Sequence, residues 1–292
     1  VNLFFYFLLA TLTLVLLVSN SIAQDFSAMK FRFIGPDGNR AIAVSGEAGN
    51  SMVSYVGAAS GGIFKTEDGG LNWKPIFDEM DNSSIGALAV SQSDPKQVWA
   101  GTGETFIIRP AHANGNGVYK SMDGGKTWKN MGLKETVRIS RVLVHPTNPN
   151  IVYVAALGHT GGPQQERGVF KTIDGGVTWK RILFVDENTG CNDLVLNISN
   201  PDEIYAAMWQ VEMKTWSLKS GGPGSGFYKT TDGGKTWKKM ENGLPGGANH
   251  IIGKTSIDIA QSNPSTVYAL VEDKSPALYK STDGGASWKM MF

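Results

Sequence analysis

The carboxylates fall into two groups. Asp68, Asp123, Asp174, Asp232 and Asp283 each occupy the same short box, whereas Glu104, Asp186, Glu187 and Asp193 are scattered through polar segments between apolar runs. Two carboxyl groups facing each other across a bond, one of them held protonated by its surroundings, can carry out acid–base hydrolysis. Glu104 and Asp193 are the candidates for that chemistry, although nothing in their spacing joins them. A second set suits recognition: Arg109, His112, Arg138, Arg141, His159, Trp209 and Trp216. Arginine offers a planar fork of donors, and an exposed tryptophan stacks on a sugar ring or grips a peptide. Each has a plainer reading beside it. Arg138 and Arg141 can pair with nearby carboxylates such as Glu135, and either tryptophan can be wedged between sheets. His112, His145, His159 and His250 show no metal-ligand spacing, and Cys191 is the sole cysteine. The sequence therefore predicts no metal, no cofactor and no internal disulfide.

The five aspartates are positioned by a repeat. Thr66-Glu-Asp68-Gly-Gly70-Leu-Asn72-Trp73 returns with Asp123 and Trp128, Asp174 and Trp179, Asp232 and Trp237, and Asp283 and Trp288. Successive aspartates lie 55, 51, 58 and 51 residues apart. The box has the chemistry of a tight hairpin. Asp accepts hydrogen bonds from its own turn, Gly-Gly supplies positive φ, and Trp opens the next strand as a plate that packs between sheets. These aspartates are read as structural rather than catalytic. Asn72 replaces the usual Ser or Thr, which predicts a slightly weaker first turn.

Before each box come two more strands separated by an Asp/Asn-Pro turn, as in Val142–Val144, Asn148-Pro149 and Val152–Val154. Four strands in about 50 residues make one blade of an all-β propeller with antiparallel blades. The blades are predicted at 30–78, 79–133, 134–185, 186–241 and 242–292. A parallel β-helix is the rival, but its rungs are shorter and need no hairpin chemistry. Five blades form either a closed ring or, as favoured here, an arc of a larger propeller completed by further C-terminal blades. The variable connections, 102–116, 158–167 and 208–225, are where binding is expected.

Composition agrees. The 292 residues include 36 glycines, only 18% are charged, and the net charge is +1. Short strands and turns fit this better than long helices, and no basic face points to nucleic acid. Leu3–Val18 is an apolar run followed by Ser21-Ile22-Ala23, a signal-peptide pattern with cleavage before Gln24 and no membrane span afterwards; a membrane anchor is the alternative. Val at position 1, with no Lys or Arg before the run, suggests a truncated start.

On these boxes the chain resembles the Asp-box, or bacterial neuraminidase repeat, propellers. That group includes sortilin-type receptors, sialidases, xyloglucanases and a photosystem assembly factor. It is most similar to exported bacterial proteins described as sortilin-like or glycosyl-hydrolase-like repeat proteins, from about Phe31 to Phe292. The resemblance implies a secreted, periplasmic or cell-surface module that binds a protein, peptide or glycan. The alternatives are a glycoside hydrolase and an assembly factor for an envelope complex. Both enzyme templates fit poorly. Ser60 stands where xyloglucanases place a carboxylate, and Phe31-Arg32-Phe33-Ile34 only loosely echoes the first arginine motif of sialidases.

Overall fold

Each box closes its own hairpin. Asp123 Oδ1 accepts the Thr127 N–H at 2.9 Å, Oδ2 accepts the Thr127 hydroxyl at 2.7 Å, and Ser121 Oγ accepts the Gly125 N–H at 2.8 Å. Gly124 and Gly125 sit at φ 71° and 92°, the left-handed region that glycine enters without strain. The same bonds recur at Asp174, Asp232 and Asp283. At the first box Asn72 Nδ2 donates to Asp68 Oδ2 at 2.7 Å, so the amide replaces the missing hydroxyl and the turn keeps its full set of bonds.

The structure is a computed structural model and describes residues 40–107, 112–246 and 250–292. The apolar leader, its cleavage site, residues 31–36 and Arg109 lie outside the described residues. Five antiparallel sheets follow one another, each with its strands side by side in chain order. The first comprises Ala41–Glu47, Asn50–Ala58, Ile63–Thr66 and Lys74–Pro75. The second comprises Ile85–Val90, Val98–Thr102, Val118–Ser121 and Lys129–Asn130. The third comprises Ile139–Val144, Val152–Ala156, Gly168–Thr172 and Lys180–Leu183. The fourth comprises Thr189–Asn197, Asn200–Lys214, Gly226–Thr230 and Lys238–Met240, and Ser217–Ser220 pairs with the far end of its second strand. The fifth comprises Thr255–Ile259, Val267–Val271, Ala277–Ser281 and Lys289–Met290. These are blades of a β-propeller, and their antiparallel neighbours exclude the parallel β-helix. The connection predicted at 208–225 is instead mostly a hairpin arm, because Asn200–Lys214 runs on past its sheet and folds back.

The core is laid down between blades. Tyr55 and Ile63 of the first sheet, with Phe77 just after it, pack on Leu88, Val98 and Ala100 of the second, and equivalent layers join second to third, third to fourth and fourth to fifth. Each seam is also pinned by a repeated pair. A lysine ammonium lies over an aromatic ring of its own blade: Lys65 over Tyr55 at 5.5 Å, Lys120 over Trp99 at 4.8 Å, Lys171 over Tyr153 at 5.0 Å and Lys229 over Tyr205 at 5.0 Å. From the first four blades one or both partners reach the next blade's box. Tyr55 Oη donates to the Gly124 carbonyl (3.2 Å), Lys120 to Gly175 (3.3 Å), Lys171 to Gly233 (2.8 Å), and Lys229 and Tyr205 to Gly284 (2.7 and 3.0 Å).

Close approach at the inner edge of two seams demands glycine. A Cβ on Gly57 would stand 2.5 Å from Ile85 Cγ2, and one on Gly101 would stand 2.3 Å from Ile139 Cγ2. On the inner strands of the first four blades a register shift follows Ala41, Ile85, Ile139 and Cys191. Such bulges re-aim the residue that follows. The positions past the shift, opposite Gly57, Gly101, Ala155 and Ala207, are Ala43, Ala87, Arg141 and Asp193; Ser256 holds the matching place opposite Leu270.

Candidate functional site: the cavity between the inner strands

A cavity of about 890 Å³ opens among the inner strands and draws its wall from all five blades. Arg40, Phe106, Arg141, Asp193, Lys254 and Glu272 give it its chemistry. The first three positions of charge are already spoken for. Arg40 Nη1 pairs with the buried Glu104 Oε1 at 2.6 Å, and Arg141 Nε pairs with Asp193 Oδ1 at 2.7 Å. Asp193 also accepts the Ser256 hydroxyl, the Leu194 N–H at 3.0 Å and the Ile257 N–H at 3.2 Å. It is a filled node that ties three consecutive inner strands together.

Lys254 is different. Its ammonium lies 5.3 Å from the Trp209 ring centroid and 5.8 Å from that of Phe106, and among the described residues no carboxylate forms an ion pair with it. Burial lowers its pKa, and the charges of Asp193 and Glu272 only partly offset this. Glu272 is turned elsewhere: its Oε2 accepts the Ser220 hydroxyl and the Lys254 backbone N–H, both at 2.6 Å. The cavity thus offers a desolvated cation seated on two aromatic faces, flanked by hydroxyls and an exposed edge of Phe106.

Each of the two candidate carboxylates is already engaged by an arginine. Burial raises the Glu104 pKa, but the hydrogen bond and charge of Arg40 outweigh it and hold the carboxyl below its usual range. A general acid needs the opposite shift. Asp193 has its lone pairs occupied by four donors and stands against a cation.

The remaining sequence candidates take varied places. Arg138 is buried, with Nε on the Glu104 carbonyl at 3.1 Å and Nη2 on Asn114 Oδ1 at 2.9 Å, so it braces the 102–116 connection rather than pairing with Glu135. The residue before it, Val137, is held at φ 61°, a costly conformation for a β-branched side chain. His112 is buried in the same connection. His159 belongs to another: its Nδ1 accepts the Gly161 N–H at 3.2 Å, its carbonyl accepts from Arg167 at 2.5 Å, and burial and Arg167 lower its pKa. Trp209 is buried, donates to Ser220 Oγ at 3.0 Å and forms the floor under Lys254. Trp216 is 82% exposed in the turn of the hairpin arm. Among the described residues no group of three His, Cys, Asp or Glu could hold a metal ion, and no helix is long and apolar enough to cross a membrane.

Lys254, Phe106, Arg40 and Ser256 were not singled out by sequence. One signal was available: at the bulge-phased inner position, three successive blades carry Arg141, Asp193 and Ser256 where the first two carry alanine.

With that geometry in view, comparison with known proteins is informative. Residues 116–246 match the model of the Sortilin-Vps10 family (sortilin, neurotensin receptor 3). Xyloglucanase Xgh74A of Acetivibrio thermocellus is 24% identical over 250 residues, covering 80% of this chain and 23% of that protein. The chloroplastic photosystem II stability/assembly factor HCF136 of Cyanidioschyzon merolae is 24% identical, covering 62% of this chain and 39% of the factor. Among solved structures, the GH74 enzyme of Niastella koreensis superposes with a TM-score of 0.64 at 20% identity, over 86% of this chain and 38% of the enzyme. The chain spans about a fifth of the length of the xyloglucanases it matches. The fold is that of an Asp-box β-propeller. The chain resembles sortilin-like and glycosyl-hydrolase-like repeat proteins.

Proposed function

We propose that this chain is an exported binding module that holds a protein, peptide or glycan ligand in the cavity between its inner strands. The observation that carries the reading is Lys254: a cation that pairs with no carboxylate among the described residues, on the faces of Trp209 and Phe106, inside a cavity large enough for a small oligosaccharide or a few peptide residues. Such an arrangement is favourable for a ligand that brings acceptors to the ammonium and flat or apolar surface to the rings. Arg141 and Asp193 shape the wall, and Trp216 on the projecting arm offers a second contact for a ligand longer than the cavity.

A glycoside hydrolase is the second reading, favoured by the xyloglucanase matches. The engagement of Glu104 by Arg40 and of Asp193 by four donors weighs against it. The test is to titrate the protein with xyloglucan oligosaccharides and with peptide pools while following release of reducing sugar. Saturable binding without turnover, weakened at least tenfold by Lys254→Met, supports the module. Turnover lost in Asp193→Asn or Glu104→Gln, with the fold intact by circular dichroism, overturns it in favour of the hydrolase.

A further inference from the structure

Hydrogen-bonding capacity on the cavity wall is unevenly used. Asp193 is filled by four donors. Ser140 Oγ donates to the Cys191 carbonyl at 2.7 Å, Thr255 Oγ1 to the Met208 carbonyl at 3.1 Å, and Asn192 Nδ2 to the Thr255 carbonyl at 2.7 Å. Arg141 engages Asp193 through Nε alone, and half of its side chain is in solvent. Among the described residues its two terminal nitrogens donate to nothing, and neither does Lys254 Nζ.

Both cations line the same cavity. Burial depresses the Lys254 pKa, and the positive charge of Arg141 adds to that effect. Two cations with spare N–H groups, one of them desolvated, are stabilised by an anion that both can reach. Spare acceptors are fewer. Glu272 Oε2 takes two donors, whereas among the described residues Oε1 takes none and Asn192 Oδ1 accepts nothing. Phe106, half exposed, supplies an open aromatic surface beside Lys254. These groups stand on the second to fifth blades, so the set does not depend on either end of the chain.

A ligand suited to this wall carries an anion for Lys254 and Arg141, hydroxyl donors for Glu272 and Asn192, and a face of C–H bonds for Phe106. Resting on the cavity as the ligand site, we propose that the ligand is an acidic saccharide, one whose sugar bears a carboxylate as a uronic acid does. The carboxylate is received between Lys254 Nζ and the terminal nitrogens of Arg141, whose planar fork matches two carboxylate oxygens. A uronate unit brings the carboxylate, hydroxyls on adjacent carbons and an apolar ring face together. A neutral sugar leaves both cations unanswered, and an acidic peptide side chain offers the carboxylate without the hydroxyls.

Calorimetric titration of the whole chain tests this with trigalacturonate and with its methyl ester, which keeps the rings and hydroxyls and removes the charge. The acid should bind at least about tenfold more tightly than the ester, as expected for charge-assisted hydrogen bonds. Lys254→Met, with the fold intact by circular dichroism, should remove most of that preference, whereas Lys254→Arg should keep most of it. If Lys254→Met does not fold, the comparison of acid with ester on the wild type decides alone. Equal affinity for acid and ester overturns the inference. Triglutamate bound as tightly as trigalacturonate overturns the saccharide assignment in favour of an acidic peptide. A protein that ignores all three probes but binds xyloglucan oligosaccharides or peptide pools refutes the inference and leaves the cavity as a ligand site. One that binds nothing in either titration refutes both.

Discussion

Arg141 and Asp193 stand at the same register position on adjacent inner strands, opposite Ala155 and Ala207, and meet as a 2.7 Å ion pair across the seam between the third and fourth blades. Ser256, one blade further on, completes the line through the second carboxylate oxygen. The polar wall of the cavity is therefore a structural tie, and its members should respond unequally to mutation.

Asp193→Ala strands four donors from three blades and should destabilise the protein by about 2–4 kcal/mol. Arg141→Ala leaves the carboxylate its other three partners, and with half of Arg141 in solvent should cost only about 1 kcal/mol. Urea unfolding of the two variants checks the order.

The seam glycines predict a coupled pair. Gly101→Ala places a methyl 2.3 Å from Ile139 Cγ2 and should cost about 1–3 kcal/mol. Ile139→Ala removes the Cγ2 contact but keeps a Cβ 2.8 Å from the new methyl, so in the double variant the clash is eased rather than abolished and the two losses should be less than additive in a double-mutant cycle.

Acid stability should follow the boxes. Their hydrogen bonds hold Asp68, Asp123 and Asp283 at about 2, and Asp174 and Asp232 lower still, against an ordinary 3.8. The unfolded chain therefore binds more protons between those values. The stabilisation is complete above about pH 4 and is lost as pH falls towards 2. Denaturant midpoints measured from pH 5 to pH 2 should be level at first and then fall.

Lys254 should react anomalously. Its lowered pKa leaves more free amine at mildly alkaline pH than an exposed lysine has, and the cavity is open enough for a small reagent. Limited reductive methylation followed by peptide mapping should find Lys254 among the first residues modified, with bound ligand protecting it.

The architecture was legible because the box is local. Asp, Gly-Gly and Trp make their contacts within a few residues or at a fixed place on the neighbouring blade, so residue type and period were enough. Asn72 shows how far local reading goes: its position was correct, but the effect was not, since an amide nitrogen reaches the aspartate as well as a hydroxyl does. The site was much less legible. Glu104 finds its cation at Arg40 and Asp193 finds its own at Arg141, and such distances along the chain leave no mark on either residue. Trp209 and Trp216 look alike in sequence, yet strand extension past the sheet buries one and lifts the other into solvent.

The lysine–aromatic pin and the box it engages are carried on opposite faces of every blade. Each blade is thus both lock and key, and nothing in the pin specifies how many blades there are. Gene duplication can add a unit, or deletion remove one, with one cut of the coding sequence and no redesign of the surfaces on either side.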